Sequence, residues 1–177
     1  MGILTGSTLL IPSCTFDQKT ITRSMNNLEI TTDQEALMKA LVDAILPQTD
    51  IPGGLELGID GFVWVMADDC LSESSQEQFV IGSRNFAEEY RRVNKTDFES
   101  ENQQTLVKGL EKMNNSTAPE KESASARHFL QITKEFCIMG FTRSEYFMTE
   151  LMPYKLVPGG YGPCETIDPS KPINRNA

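Results

Sequence analysis

The chain has 177 residues, of which 39% are hydrophobic and 23% are charged, as expected of one globular domain that needs no metal or disulfide to be stable. Its 16 basic and 25 acidic residues give a formal net charge of -9, which disfavours an electrostatic surface for nucleic acid or anionic lipid. The sequence has no apolar run of the roughly twenty residues that a transmembrane helix needs.

Residues 1–14 have the pattern of the remnant of an export signal. Residues 3–11 are uncharged and mostly apolar or small, too short a run to span a bilayer but typical of the apolar region of a signal peptide. Residues 10–14 (LIPSC) resemble a bacterial lipobox, which predicts that Cys14 is lipidated and becomes the mature N-terminus. The first basic residue is Lys19, so the positive region of the signal is expected upstream of Met1. The other interpretation is a frayed helix or strand.

The rest of the chain is predicted to be helical after a tether. Residues 15–31 have few large apolar side chains and no clear period, so they are predicted to form a tether or an extended arm before a helical domain over residues 32–155. Thr32 and Glu35 have the spacing of a capping box, and Pro47 ends the helix that they begin. Apolar residues at helical spacing predict four more helices, over about residues 59–71, 75–93, 98–113 and 123–151, with a break in the last at 140–142.

No segment alternates as a half-buried strand does. The prediction is therefore an all-α fold, an irregular bundle of about five helices, followed by an extended Pro/Gly-rich tail over residues 156–177. The residues predicted to point inward on the last three helices are Phe79, Phe86, Tyr90, Val93, Leu106, Leu110, Met113, Ala126, Phe129, Leu130, Thr133, Phe136, Cys137 and Gly140.

Several polar or aromatic residues are predicted to lie at the surface. Trp64 is expected at an edge of its helix because Asp68 is its neighbour one turn later. Asp68 and Asp69 are adjacent, so their side chains point about 100° apart and are expected to be solvated rather than to form a carboxylate pair. Glu89 is expected to face outward. The single histidine, His128, has no ligand partner one turn away and is expected to be an ordinary boundary residue.

The four cysteines are too far apart in sequence for a local zinc site. If Cys14 carries lipid, three thiols remain, and in an oxidising compartment at least one is free or bonded to another chain. Cys70 and Cys137 have apolar neighbours and are predicted to be reduced core thiols. Cys164 lies in a Pro/Gly-rich segment and is predicted to be accessible. It is either an inert surface thiol, a partner for one of the other two, or a link to another chain.

Two motifs stand far apart in the sequence. Residues 44–59 read AILPQTDIPGGLELGI and are followed by Phe62. Residues 140–145 read GFTRSE and are followed by Tyr154, by residues 157–161 (VPGGY) and by Cys164. In this order the motifs resemble those of the gluconate 2-dehydrogenase subunit 3 family. Phe147 stands where that family usually has glycine, and the upstream twin arginines common in its members are absent.

The resemblance implies a non-catalytic helical subunit of the bacterial periplasm or cell envelope. Such a subunit accompanies a large flavin-dependent sugar or polyol dehydrogenase, often with a cytochrome c subunit, and helps the large subunit to mature and to be exported. FAD and haem c are then expected on the partner subunits, and no cofactor or metal on this chain. This chain is expected to associate with the membrane only through the lipid on Cys14. The tail is expected to bind the partner through Tyr154, Val157, Pro158, Gly159 and Tyr161, with Cys164 as the candidate for an interchain disulfide.

A second hypothesis is a stand-alone envelope lipoprotein that binds a small ligand between its helices. A gene for a flavoprotein beside this one would favour the accessory subunit, and an isolated gene would favour the lipoprotein. Catalysis by this chain is the least favoured hypothesis, since the sequence lacks a nucleotide-binding loop and a metal-binding motif.

Overall fold

The computed structural model describes residues 21–98, 101–116 and 121–152, together with Ser170. Within these residues a short β-hairpin precedes five α-helices and a π-helical turn. The elements are β1 (Ile21–Ser24), β2 (Glu29–Thr31), α1 (Thr32–Ile45), α2 (Ile59–Cys70), α3 (Glu73–Asn94), α4 (Gln103–Asn115), α5 (Lys121–Thr142) and the π-helical turn Phe147–Leu151. The predicted helical bundle is thereby confirmed. The predicted tail, apart from Ser170, lies outside the described residues.

Helices α3 and α5 form the centre of the bundle and touch closely at a glycine. A Cβ atom on Gly82 would lie 2.2 Å from the carbonyl oxygen of Ser125, so any larger residue would force the two helices apart. Phe79 and Phe129 pack beside this contact with ring centroids 4.8 Å apart. Every inward position predicted on α5 is buried, and the helix ends at Thr142, within the predicted break.

Trp64 belongs to the core and not to an edge. Its side chain is 2% exposed, and its ring meets Phe79 edge-on with centroids 5.7 Å apart. The prediction was wrong because Trp64 lies on the covered side of α2, against Phe79 of α3. Val63 and Ala67 are buried with Trp64, and Asp68 faces the hairpin that precedes α1.

The predicted tether is wrong for residues 21–31. These residues form the antiparallel hairpin of β1 and β2, and Leu28 and Ile30 are buried in the core. The Arg23 guanidinium lies 3.3 Å from the Glu35 carboxylate of α1, which adds an ion pair between hairpin and bundle. Strands of four and three residues are too short to show the alternation that identifies a strand in sequence.

Asp68 accepts hydrogen bonds from the hairpin turn, so its predicted exposure to solvent is also wrong. The residue is buried, with 1% of its surface exposed. One carboxylate oxygen accepts hydrogen bonds from the backbone N–H groups of Asn27 and Leu28, at 2.9 and 2.8 Å, and the other accepts from the N–H of Asn26 at 3.1 Å. The turn thus exchanges water for a carboxylate as its hydrogen-bond partner. The neighbouring Asp69 is exposed, as predicted.

The capping box of α1 lies one residue earlier than predicted. Thr31, with extended backbone at φ -84° and ψ 160°, is the N-cap, and its hydroxyl accepts from the N–H of Gln34. The Gln34 side-chain oxygen accepts in return from the N–H of Thr31 at 3.0 Å. Thr31 takes this position because β2 ends there in the extended conformation that an N-cap needs.

Glu89 is a buried residue that joins α3 to the start of α5, and its predicted outward position is wrong. The residue is 3% exposed. Its carboxylate accepts from the Arg92 guanidinium at 2.7 Å and from the Ser123 hydroxyl at 2.8 Å. The hydrogen bond from Arg92 is the main cause that holds the pKa of Glu89 below its ordinary value.

Candidate functional site

The first motif builds the loop that leads from α1 into α2. Gly54 passes so close to α1 that a Cβ atom on it would lie 2.6 Å from a methyl group of Val42, and its N–H donates to the Leu46 carbonyl at 2.8 Å. Gly58 then has a φ of 68° and serves as the N-cap of α2, a conformation that favours glycine. These glycines place Ile59 and Phe62 at the first turn of α2.

The second motif begins where α5 meets that first turn. A Cβ atom on Gly140 would lie 2.7 Å from a ring carbon of Phe62 and 3.1 Å from the terminal methyl group of Ile59. The glycine therefore permits the close approach of α5 to α2. The two motifs, separated by about eighty residues in the sequence, are in direct contact.

The end of the second motif turns the chain after α5. The Ser144 hydroxyl donates to the Phe141 carbonyl at 2.8 Å and accepts from the N–H of Phe147 at 3.2 Å. Phe147, at the family's usual glycine position, begins the π-helical turn, and its ring packs against Phe141 with centroids 5.6 Å apart. The phenylalanine is accommodated because the backbone there is helical and needs no positive φ.

An open groove of about 580 Å³ lies where the two motifs meet, and we call it the α2–α5 groove. Its apolar floor comes from the first motif, the first turn of α2 and Gly140 of α5, and its polar rim comes from the segment that follows α5. The floor consists of Leu57, Ile59, Phe62 and Gly140, and the rim of Arg143, Ser144, Glu145, Tyr146, Thr149 and Glu150. An apolar centre inside a polar rim is the usual composition of a protein–protein contact.

The described chain leaves the bundle beside this groove. Thr149 and Glu150 line it, and the π-helical turn ends at Leu151. The residues predicted for the partner interface, Tyr154, Val157, Pro158, Gly159, Tyr161 and Cys164, follow within thirteen positions but lie outside the described residues. Cys14, the predicted lipidation site, also lies outside them.

The two cysteines in the described part of the chain differ in environment. Both are free thiols. Cys137 is buried, and this burial raises the pKa of its thiol to about 12, which leaves the thiolate form negligible at neutral pH. Cys70 is exposed at the end of α2, contrary to the predicted core position, and its sulfur lies 3.8 Å from the sulfur of Met66.

Sequence reasoning identified the motif residues of the groove but not Tyr146, Thr149 and Glu150 of its rim. These three carry no pattern of their own; their position after the second motif was the available signal. His128 is half-buried on α5, in a small recess with Arg127 and away from the α2–α5 groove. Within residues 21–98, 101–116 and 121–152, none of the helices combines the length and apolarity of a membrane span.

Comparison with known proteins gives one match. The family model described as gluconate 2-dehydrogenase subunit 3 matches residues 32–159, a range that contains the five described helices, the first motif and the second motif as far as Gly159. Neither the curated proteins nor the solved structures contain a match to the chain. The family resemblance predicted from the two motifs is thereby confirmed, and the chain belongs to the gluconate 2-dehydrogenase subunit 3 family.

Proposed function

We propose that this chain is a non-catalytic small subunit that binds a large flavin-dependent sugar or polyol dehydrogenase subunit in the bacterial cell envelope and helps it to mature and to be exported. The family is named for a subunit of a dehydrogenase complex, which supports an accessory role. The observation that carries the proposal is the meeting of the two motifs at one groove, from which the C-terminal segment continues.

The chemistry of the groove suits a protein partner. The half-buried side chains of Leu57 and Phe62 in its floor supply apolar area to bury, and the hydroxyl and charged groups of the rim exclude water from such a contact. Next along the chain come Tyr154 and Tyr161, aromatic anchors of the kind that dominate interface energetics. With Val157, Pro158 and Gly159 between them, the proposed interface runs from the groove into the tail.

Cys164 is the proposed site of a covalent link to the partner. Cys137 is too deeply buried to react. Formation of the link joins the Cys164 sulfur to a cysteine sulfur of the partner while a disulfide donor takes up the two electrons and two protons. In the same proposal Cys14 carries the lipid anchor, the large subunit holds FAD, and a cytochrome c subunit holds haem.

Co-expression with a large flavoprotein dehydrogenase subunit from the same genome tests the proposal. We expect the two chains to co-purify through an affinity tag on either one. On non-reducing electrophoresis the wild type and Cys70→Ser are expected to migrate as a linked pair and Cys164→Ser as separate chains. A linked pair that persists in Cys164→Ser contradicts the covalent part, and failure of the chains to co-purify contradicts the whole proposal.

One observation favours the alternative of a stand-alone ligand-binding lipoprotein. A recess of about 480 Å³ between α1 and α3 is lined by apolar residues, including Leu37, Ala40 and Phe98, and by an equal number of polar ones, and its size is within the range of small-molecule sites. Native mass spectrometry of the chain purified from its own host distinguishes the two functions. A bound small molecule on the isolated chain supports the alternative, and a bound flavoprotein supports the subunit.

A further inference from the structure

We infer that residues 171–175, near the end of the tail, bind in a second groove, which lies between the hairpin turn and α3. This inference concerns the chain by itself and does not rest on the proposed function. We call the site the hairpin–α3 groove, and its volume is about 740 Å³. Its lining consists of residues 24–29 of the hairpin and of Glu73, Gln76, Glu77, Val80, Ile81 and Arg84 of α3.

The hairpin–α3 groove contains a fixed hydrogen-bond acceptor. Gln76 is only 8% exposed, and its amide nitrogen donates to the backbone carbonyl of Asp68 at 2.5 Å. A carbonyl oxygen only accepts hydrogen bonds, so the amide nitrogen must face it and the amide oxygen is left without this partner. That oxygen accepts no hydrogen bond from any residue in the described part of the chain. It can therefore accept one from an ammonium or guanidinium group that enters the groove.

The exposed side chains of the groove favour a cationic segment that also carries an apolar residue. The lining has three carboxylates, those of Glu29, Glu73 and Glu77, and one basic group, that of Arg84. Among the residues that the structure describes, none forms an ion pair with any of these three carboxylates. Ile81 is 38% exposed in the same lining. Positive charges on either side of an apolar side chain complement this surface.

The end of the tail has this composition. Residues 171–177 read KPINRNA, with two basic side chains, Lys171 and Arg175, and no acidic one. Every other segment outside the described residues has fewer basic side chains or includes an acidic one. Because side chains alternate along an extended chain, Lys171, Ile173 and Arg175 lie on one side of it. Pro172 favours the extended conformation at the residue before it.

The dimensions allow this segment to reach the groove and to fill it. The chain from Met152 to Lys171 can span up to about 60 Å, and a folded body of this size has a radius of gyration of about 14 Å. The face of α3 from Glu73 to Arg84 is about 16 Å long, and five extended residues cover about 13 Å. We therefore assign Lys171 and Arg175 to the carboxylates of the groove and Ile173 to the exposed side chain of Ile81.

Carbodiimide cross-linking of the full-length chain tests this assignment. The reagent joins the Lys171 amine to a carboxylate that touches it, and peptide mass spectrometry identifies the pair. We expect Lys171 to be joined to Glu29, Glu73 or Glu77. The exposed lysines of α4, Lys108 and Lys112, are control amines and should not be joined to these three residues. If Lys171 is joined as often to carboxylates elsewhere on the chain, the inference is overturned.

Two matched pairs of variants measure the charged and the apolar contact. Arg175→Glu keeps the reacting lysine and is expected to lower the Lys171 yield at least about threefold, whereas Lys112→Glu, the same reversal on α4, leaves it unchanged. Ile81→Ala is expected to lower the yield about twofold, and Val107→Ala, at a valine of similar exposure, 37% against 38%, to leave it unchanged. Equal yields in Arg175→Glu and Lys112→Glu overturn the inference. Cross-links between isotopically heavy and light copies in a mixture would show that the tail binds a second copy, and the inference would then be wrong.

Discussion

Replacement of Asp68 by asparagine tests how the hairpin is held on the bundle. The asparagine oxygen can still accept from the N–H groups of Asn27 and Leu28, which both bind one carboxylate oxygen. The amide nitrogen, however, replaces the oxygen that accepts from Asn26, so one hydrogen bond becomes a contact between two donors. A hydrogen bond to a charged group contributes about 1.5–3 kcal/mol and a neutral one about 0.5–1.5 kcal/mol.

Loss of one charge-assisted bond and weakening of two others predict that Asp68→Asn lowers the free energy of unfolding by about 3–4 kcal/mol. Urea denaturation measures this loss through the fluorescence of Trp64, the single tryptophan, which is buried beside Phe79. With an m-value of about 2 kcal/mol/M the midpoint falls by about 1.5–2 M. If the hairpin detaches before the bundle unfolds, the loss appears instead as faster amide hydrogen exchange at Leu28 and Ile30.

Asp69→Asn is the matched control for this experiment. Asp69 is exposed and accepts one side-chain hydrogen bond, from Asn26 at 3.2 Å, so its replacement is expected to change stability by less than about 0.5 kcal/mol. If Asp68→Asn and Asp69→Asn unfold alike and their hairpin amides exchange alike, the carboxylate does not hold the hairpin and the reasoning is refuted.

Three further predictions concern the bundle. Gly82→Ala places a methyl group 2.2 Å from a carbonyl oxygen of α5 and is expected to lower the free energy of unfolding by about 1–3 kcal/mol. An unchanged melting temperature contradicts this prediction. Glu89, whose pKa is lowered chiefly by Arg92, contributes stability that is complete above its ordinary pKa of 4.5 and is lost as the pH falls through the lowered pKa. Urea midpoints measured from pH 7 downward should therefore fall more for the wild type than for Glu89→Gln, and parallel curves would contradict this. A thiol reagent should label Cys70 in the folded chain and Cys137 after unfolding; rapid labelling of both would show that α5 is not packed as described.

The helices could be predicted because their evidence is local. On α5 the inward residues recur with the period of a helix over about four turns, from Ala126 to Gly140, and Phe129, Leu130 and Phe136 are all buried as that period requires. The end of the helix was also signalled locally, by the break at residues 140–142. The position of Gly140 against Phe62 was not, because periodicity gives the buried face of a helix and not the helix that covers it.

The errors concern residues whose partners are distant in sequence. Asp68 binds a turn about forty residues earlier, and Glu89 binds Ser123 on another helix. A sequence pattern reports neither contact, so both carboxylates resembled ordinary solvated side chains. The α2–α5 groove depends both on local sequence patterns and on a contact between segments distant in sequence. Its motifs were evident from their residues, but their contact depends on the way in which α5 packs against α2, and so the rim beyond Glu145 was not predicted.

The central claim is that this chain serves a dehydrogenase as a bound subunit and has no turnover of its own. Native mass spectrometry and a dye-reduction assay on the same two preparations, the chain alone and the co-expressed pair, test it most directly. The account predicts that the pair is one assembly with flavin on the large chain and reduces the dye with a sugar or sugar acid, and that the lone chain has neither flavin nor activity. Flavin and dye reduction in the lone chain, or a large subunit that never binds it, would contradict the account.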